Sequence, residues 1–285
     1  MNHPAYGKPK TRRPHLLLVY PAVMLLLLFF APLCVMFALS FFKRVQSAFF
    51  EPGFVLDNYA RALSPFFLER IGVSLLVAAV AAAVCVLVAF PFTFFLTRLR
   101  RAQQVPYLVL LVSILSLSEV IIAFSWSLLL SRTSGVSNLF VTLGLMEKNV
   151  SWSPGFAAML SALVYIALPL TAIVLYPSLS RLDPSLTEAA TTLGATPVVS
   201  FFSVVVPVLR QAILTAFVLV FIFVLGSYLI PQVLGKPEHW TLPVHITDQA
   251  LLKSNMPLAA ALATLLLLAS AGLTLLTLKL GSSRS

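Results

Sequence analysis

Apolar residues in this chain fall into runs of twenty or more, separated by short stretches rich in Arg, Pro, Gly, Ser and Asn. An α-helix rises about 1.5 Å per residue, so about 20 such residues cross a hydrocarbon core about 30 Å thick. Six runs meet that length: about residues 15–42, 72–97, 105–131, 154–179, 209–231 and 257–280. The pattern predicts an all-α integral membrane protein with about six transmembrane helices. Composition points the same way. Of 285 residues, 60% are hydrophobic and 10% charged, against about 25% charged in an ordinary soluble domain.

The expected organisation is a basic tail over residues 1–14, a transmembrane domain over 15–280 and a short tail over 281–285. No stretch between the spans is long and apolar enough to bury a core of its own. The largest outer loops, about residues 43–71, 132–153 and 232–256, carry turn residues. Trp152 and Trp240 lie where aromatic rings anchor helices at headgroup level. Pro91, Pro169 and Pro231 fall within apolar runs, where proline removes a backbone hydrogen bond and bends the axis.

The net charge of +10 does not form an aromatic-interleaved stripe of the kind that binds nucleic acid. The basic residues flank spans instead: Lys8, Lys10, Arg12 and Arg13 before the first, Arg98, Arg100 and Arg101 after the second, Arg181 and Arg210 around the fourth connection, Lys279 and Arg284 at the end. The positive-inside rule makes these segments, and both termini, cytoplasmic. The bias is moderate, because Lys43, Arg44, Arg61 and Arg70 fall in the first outer loop. The first run is nearer 27 residues than the 7–15 of a signal-peptide core, and reads as an uncleaved signal anchor. Cys34 and Cys85 lie inside predicted spans and read as packing residues, too sparse for a disulfide framework or a zinc site.

One connection is unlike the others. Between the fourth and fifth runs the chain reads Arg181-Leu-Asp-Pro-Ser-Leu-Thr-Glu-Ala-Ala-Thr-Thr-Leu-Gly-Ala-Thr-Pro. Asp183 followed by Pro184 is a helix start with proline at its first position, and Ser185 with Glu188 is an overlapping capping-box signal. Gly194 suits the left-handed conformation that stops a helix. Thr196 and Pro197 begin a second short helix, which Pro207 ends before the fifth run. Ala189 and Ala190 leave a shallow surface. By residues alone this helix either receives another protein or lies against lipid headgroups.

Glu188-Ala189-Ala190, three residues, Gly194 and then Pro207 thirteen positions later resemble the Glu-Ala-Ala loop of membrane subunits of binding-protein-dependent ABC importers. The resemblance implies the type I permease fold, with residues of about 180–208 forming a loop whose coupling helix sits in a groove of the ATP-binding subunit. It makes Glu188, Ala189, Ala190, Gly194 and Pro207 the ATPase-coupling residues. It also implies partners: an ATP-binding cassette ATPase dimer, a second similar permease, a periplasmic or lipid-anchored solute-binding protein, and surrounding membrane lipid. No cofactor is then expected on this chain, with ATP-Mg held by the ATPase. In keeping with that, no Gly-x-x-x-x-Gly-Lys-Ser/Thr phosphate loop is present, since Gly235-Lys236 is followed by Pro237.

Leu56-Asp57-Asn58-Tyr59, Phe90-Pro91-Phe92 and Leu182-Asp183 resemble the first permease of spermidine/putrescine importers. The third run departs from that pattern. Where such permeases carry a polar stretch with Asn, Arg and Tyr, this chain reads Ser118-Glu119-Val120-Ile121-Ile122-Ala123-Phe124-Ser125-Trp126.

Glu119 is the single Asp or Glu deep within a predicted span. A carboxylate there is costly, about 2.5–3.5 kcal/mol for Asp on an insertion scale, and is usually turned toward a cavity or partner. With Ser118 and Ser125, one heptad apart, it is a candidate for the solute pathway. A structural hydrogen bond or ion pair, and simple closeness to the outer interface, are the alternatives. The expected function is a permease subunit forming half of the pathway of an ATP-driven importer, for a small polar solute such as a polyamine or other cationic amine. An ion-gradient-driven secondary transporter is the competing class. An enzyme is not expected: His3, His15, His239 and His245 lie at ends or in loops with no metal-ligand spacing, and the two loop histidines read as solvated.

Overall fold

The computed structural model describes residues 14–45, 50–132, 135–145 and 147–282. The expected basic tail with Lys8, Lys10, Arg12 and Arg13, together with His3 and Arg284, lies outside the described residues. Within them the chain is helical, with no strand beyond an isolated bridge between Lys43 and Glu51. In order the helices are α1 (Pro14–Leu39), α2 (Asp57–Ala62), α3 (Pro65–Arg98), α4 (Arg101–Leu115), α5 (Glu119–Leu129), α6 (Val136–Thr142), α7 (Phe156–Ser180), α8 (Pro184–Thr192), α9 (Pro197–Ser200), α10 (Val206–Val208), α11 (Arg210–Gly226), α12 (Leu229–Leu234), α13 (Leu242–Thr247) and α14 (Met256–Ser282). A π-helical turn, Phe201–Val205, joins α9 to α10.

α1, α3, α7 and α14 are each long and apolar enough to cross a membrane, and two bent pairs bring the number of spans to as many as six. α4 and α5 meet at 94°, and the segment Pro197–Val208 meets α11 at 73°. The third apolar run is therefore two helices rather than one. Serine hydroxyls explain the weakness of this stretch: Ser113 and Ser116 bond back to the carbonyls of Val109 and Val112 at 2.8 and 2.9 Å, a habit that bends helices. Ser118, extended at ψ 134°, then starts α5 anew. The fifth span ends at Gly226 rather than at 231. Ser227 is extended at ψ 130°, and Pro231 belongs to the separate helix α12.

The second span starts earlier than its apolar run, because extended Ser64 and Pro65 at the first helical position open α3 seven residues sooner. Arg70, read above as an outer-loop residue, is consequently helical and buried. Its guanidinium donates to the carbonyl of Glu238, pairs with Glu69 at 3.0 Å and lies 5.3 Å from the Phe66 ring centre. Thirty-four residues make a helix about 51 Å long, longer than a hydrocarbon layer of about 30 Å requires, so the helix has turns to spare outside that layer.

The core forms where α3 and α11 pack on α7. Ala78, Ala81, Ala82, Cys85 and Ala89 on α3 are fully buried, as are Ala162 and Ala167 on α7. Lipid tails are as apolar as these side chains, so close backbone approach across small residues, more than escape from water, holds such helices together. Cys85 packs as expected, with Sγ 3.6 Å from the Val164 carbonyl. Cys34 instead faces outward on α1, which leans on α14. His245 is also not solvated as expected. The short helix α13 folds back against α3 and buries the ring against Phe66, at 5.3 Å, and Trp240, at 6.1 Å. Among the described residues, no three His, Cys, Asp or Glu side chains gather as a metal site.

Candidate coupling helix and intramembrane carboxylate

α8 is built by local rules. Asp183 is extended, and its carboxylate accepts the backbone N–H of Ser185 at 2.9 Å, with Pro184 at the first helical position. That bond stabilises the ionised form and holds the Asp183 carboxyl below its usual value. The cap is thus Asp183, and Ser185 lies inside the helix rather than before it. At the other end Gly194 takes φ +88°. The N–H of Gly194 then bonds the Thr191 carbonyl at 2.9 Å, and that of Ala195 bonds the Ala190 carbonyl at 3.0 Å. This pair of bonds is the Schellman arrangement, which satisfies carbonyls a helix end would leave open.

Between these two stops no residue of α8 is buried, and Leu193 just beyond is 89% exposed. Glu188 and Ala189 face outward and Ala190 is half-buried. Thr196 caps the next helix by accepting the N–H of Val199 at 3.4 Å, and Pro207 lies exposed in its last turn. The helix is therefore capped at both ends and largely exposed, touching its own chain mainly along the segment that follows it.

The carboxylate of Glu119 is held by the opposite route. Glu119 opens α5, where the positive end of the helix dipole favours a negative charge. Its Oε1 accepts the Ser227 hydroxyl at 2.5 Å and the Ile230 N–H at 3.5 Å. Ser227 is the extended residue between α11 and α12, and Ile230 belongs to the first turn of α12. One carboxylate thus joins the bend of the third span to the break after the fifth. A cleft of about 270 Å³ opens beside it, lined by Glu119, Ile166, Phe223, Gly226 and Ser227.

The candidate pathway residues are only partly brought together. Ser118, the residue before α5, and Ser125, two turns on, are both exposed, and the bonds to Glu119 come from Ser227 and Ile230 instead. Sequence reasoning passed over Ser227. Its signal was Gly226-Ser227-Tyr228, a small and polar interruption inside the run 209–231. A carboxylate flanked by a hydroxyl, a phenyl ring and aliphatic walls can accept hydrogen bonds from an ammonium group while the methylene stem of the amine packs on the ring.

No protein-family model matches the chain. Over 237 residues it is 29% identical to the spermidine/putrescine transport system permease protein PotB of Escherichia coli strain K12, matching 83% of this chain and 86% of that protein. The inner membrane ABC transporter permease protein YdcU of the same strain is 26% identical over 267 residues, matching 85% of this chain and 84% of that protein. The chain is a permease subunit of an ABC importer. This displaces the ion-gradient-driven transporter as an alternative. The fold of the permease agrees with the assignment. It superposes with a TM-score of 0.78 on a chain of a bacterial ABC transporter involved in the import of the acidic polysaccharide alginate, over 96% of this permease and 97% of that chain, at 18% identity.

Proposed function

We propose that this permease forms half of the translocation pathway for a small cationic amine of the polyamine class, and that a separate ATPase drives it through α8. The observation that carries the coupling role is the conformation of α8. It is capped at both ends, buries none of its residues and presents Glu188, Ala189 and Ala190 before the left-handed Gly194. Such a helix transmits a push as a rigid body, because both ends are fixed by their own hydrogen bonds. A second, similar permease would complete the pathway, and a solute-binding protein would deliver the amine from outside. The arginines at the end of α3 support an orientation with that end, α8 and both termini on the cytoplasmic side.

The cationic solute is supported by the Glu119 cleft and by the name of the PotB relative. A second reading of Glu119 has its own support: the bonds to Ser227 and Ile230 make the carboxylate a clasp between two helix breaks. The two roles are compatible, since an arriving ammonium would compete for the same oxygens.

Proteoliposomes holding this permease with its second permease, ATPase and solute-binding protein test the proposal. Spermidine or putrescine should stimulate ATP hydrolysis and accumulate inside. Stimulation by neither amine would overturn the solute class while leaving the permease assignment intact. A cysteine at Ala190 should resist an impermeant thiol reagent added outside intact cells, and strong labelling from outside would overturn the orientation and the coupling role together.

A further inference from the structure

The last third of α3 and the helical segment after α8 enclose a groove of about 480 Å³. Its α3 wall is Val86, Leu87, Phe90, Pro91, Phe94 and Phe95, and the facing wall includes Phe201 and Phe202 of the π-helical turn. Both walls are hydrocarbon. Leu87, Phe95, Val198 and Phe202 are each at least 65% exposed, so the groove is open along its side. From Val86 to Phe95 the wall climbs about 14 Å along the helix axis. One turn further on stands Arg98, its guanidinium 5.0 Å from the Phe94 ring centre, followed by exposed Arg100 and Arg101.

A second, smaller cleft of about 190 Å³, with more polar side chains in its lining, continues the groove at this end. It shares Phe94, Pro197 and Phe201 with the first and adds Thr187, Glu188, Thr191 and Ser200. Ser200 is 3% exposed, and its hydroxyl has no hydrogen-bond partner. A buried hydroxyl without a partner is costly, and Ser200 is one of the residues that line this cleft. The sequence along the groove is therefore hydrocarbon, aromatic ring, arginine and unpartnered hydroxyl, in the order in which an amphiphile presents its tail and headgroup.

We propose that this groove binds an anionic phospholipid, with an acyl chain between α3 and Phe201–Phe202 and the phosphodiester at the mouth, against Arg98 and Ser200. Charge selects the headgroup. Arg98, Arg100 and Arg101 stand at this end, and Glu188 is the one carboxylate in the cleft lining, with Asp183 at the far end of α8, leaving an excess of positive charge that a zwitterionic headgroup satisfies less well. Because the groove wall is the chain that continues directly from α8, a seated lipid would stiffen the link between α8 and α11.

The test uses the full importer complex in nanodiscs with Phe202→Trp as a fluorescent reporter, read against the same complex without it. Brominated phosphatidylglycerol should quench the added tryptophan at lower mole fraction than brominated phosphatidylcholine. The preference should be about fivefold, the size expected of one arginine beside an anionic lipid, and Arg98→Gln should abolish it. Equal quenching by both lipids would reduce the groove to ordinary lipid-facing surface, and quenching by neither would mean that the second permease covers it. Either result overturns the proposal. Val198→Trp, on the facing wall, is the second reporter should Phe202→Trp fail to assemble.

Discussion

α8 and the Glu119 clasp each hold polar groups against an apolar bundle, and they do so with different kinds of bond. Every hydrogen bond that shapes α8 comes from within its own dozen residues: Asp183 to Ser185, Gly194 to Thr191, Ala195 to Ala190. The bonds of Glu119 reach 108 and 111 residues along the chain. A locally determined element keeps its shape when its neighbours move. A clasp made across distant segments changes whenever either segment moves. The first property suits a part that is pushed by another protein, the second a part that opens and closes around a solute.

The largest expected effect tests the local end of this contrast. In Gly194→Val, an added Cβ meets nothing within 4 Å, so no clash inside the chain follows. The left-handed φ of +88° still penalises any residue with a Cβ, by about 1–2 kcal/mol. The helix stop should fail while the spans insert normally. Solute-stimulated ATP hydrolysis and uptake by the reconstituted importer should fall about tenfold or more, the factor that such a penalty represents. Gly194→Asn, which tolerates the left-handed region better, should retain much of the activity. If valine transports as well as glycine, α8 is only an interfacial helix and its rigidity has no functional meaning.

Glu119→Gln and Ser227→Ala probe the distant end. Glutamine keeps an oxygen to accept the Ser227 hydroxyl but loses the charge. The difference between a charged and a neutral hydrogen bond, about 1–1.5 kcal/mol, should appear as roughly a tenfold rise in KM for spermidine, with copurification of the subunits unchanged. Ser227→Ala keeps the charge and removes one bond of the clasp. It should lower the Tm of the complex by a few degrees and alter KM less. Loss of subunit copurification in Glu119→Gln would make the carboxylate structural, and identical behaviour of the two variants would remove any separate solute contact.

The same contrast explains how far the chain could be read in advance. α8, its proline start and its glycine stop were legible because each depends on residues within five positions, and six apolar runs were legible because lipid imposes a length. The bend at Ser116–Ser118 was missed because it occurs without proline, through hydroxyls that compete with the backbone. Burial of Arg70 and His245 was missed for a further reason. Both depend on the segment 237–247 folding back on α3, fixed by the Arg70 to Glu238 bond and by the Leu242 N–H to the Ser74 hydroxyl at 2.7 Å. The partner of Glu119 was hidden likewise, since spacing along one span says nothing about which serine of another will face it.

The smallest effect expected separates the two kinds of element by pH. His245 lies outside the spans and is held below its usual value of 6.5, first by burial and then by the Arg70 guanidinium, with Asp248 opposing and Lys253 adding to the depression. An unfolded segment would take up this proton near pH 6.5, while the folded one resists. Stability of the outer segment is therefore full above that pH and declines as pH falls toward the lowered value. Asp183 has the carboxylate pattern. Its contribution to α8 is present above 3.8 and is lost only as pH falls below that. Between about pH 6.5 and 4, acid should loosen the segment held by distant contacts and leave the locally capped helix alone. Hydrogen exchange of the intact importer at pH 7.5 and 5.5, corrected for intrinsic rates, should show faster opening over residues 237–252 and no change over 184–192. His245→Phe, which keeps an aromatic ring in the cluster but cannot titrate, should abolish the difference. An equal response of both segments, or one that survives in His245→Phe, would show that some other group governs the outer segment and that distance along the chain is not what divides the two elements.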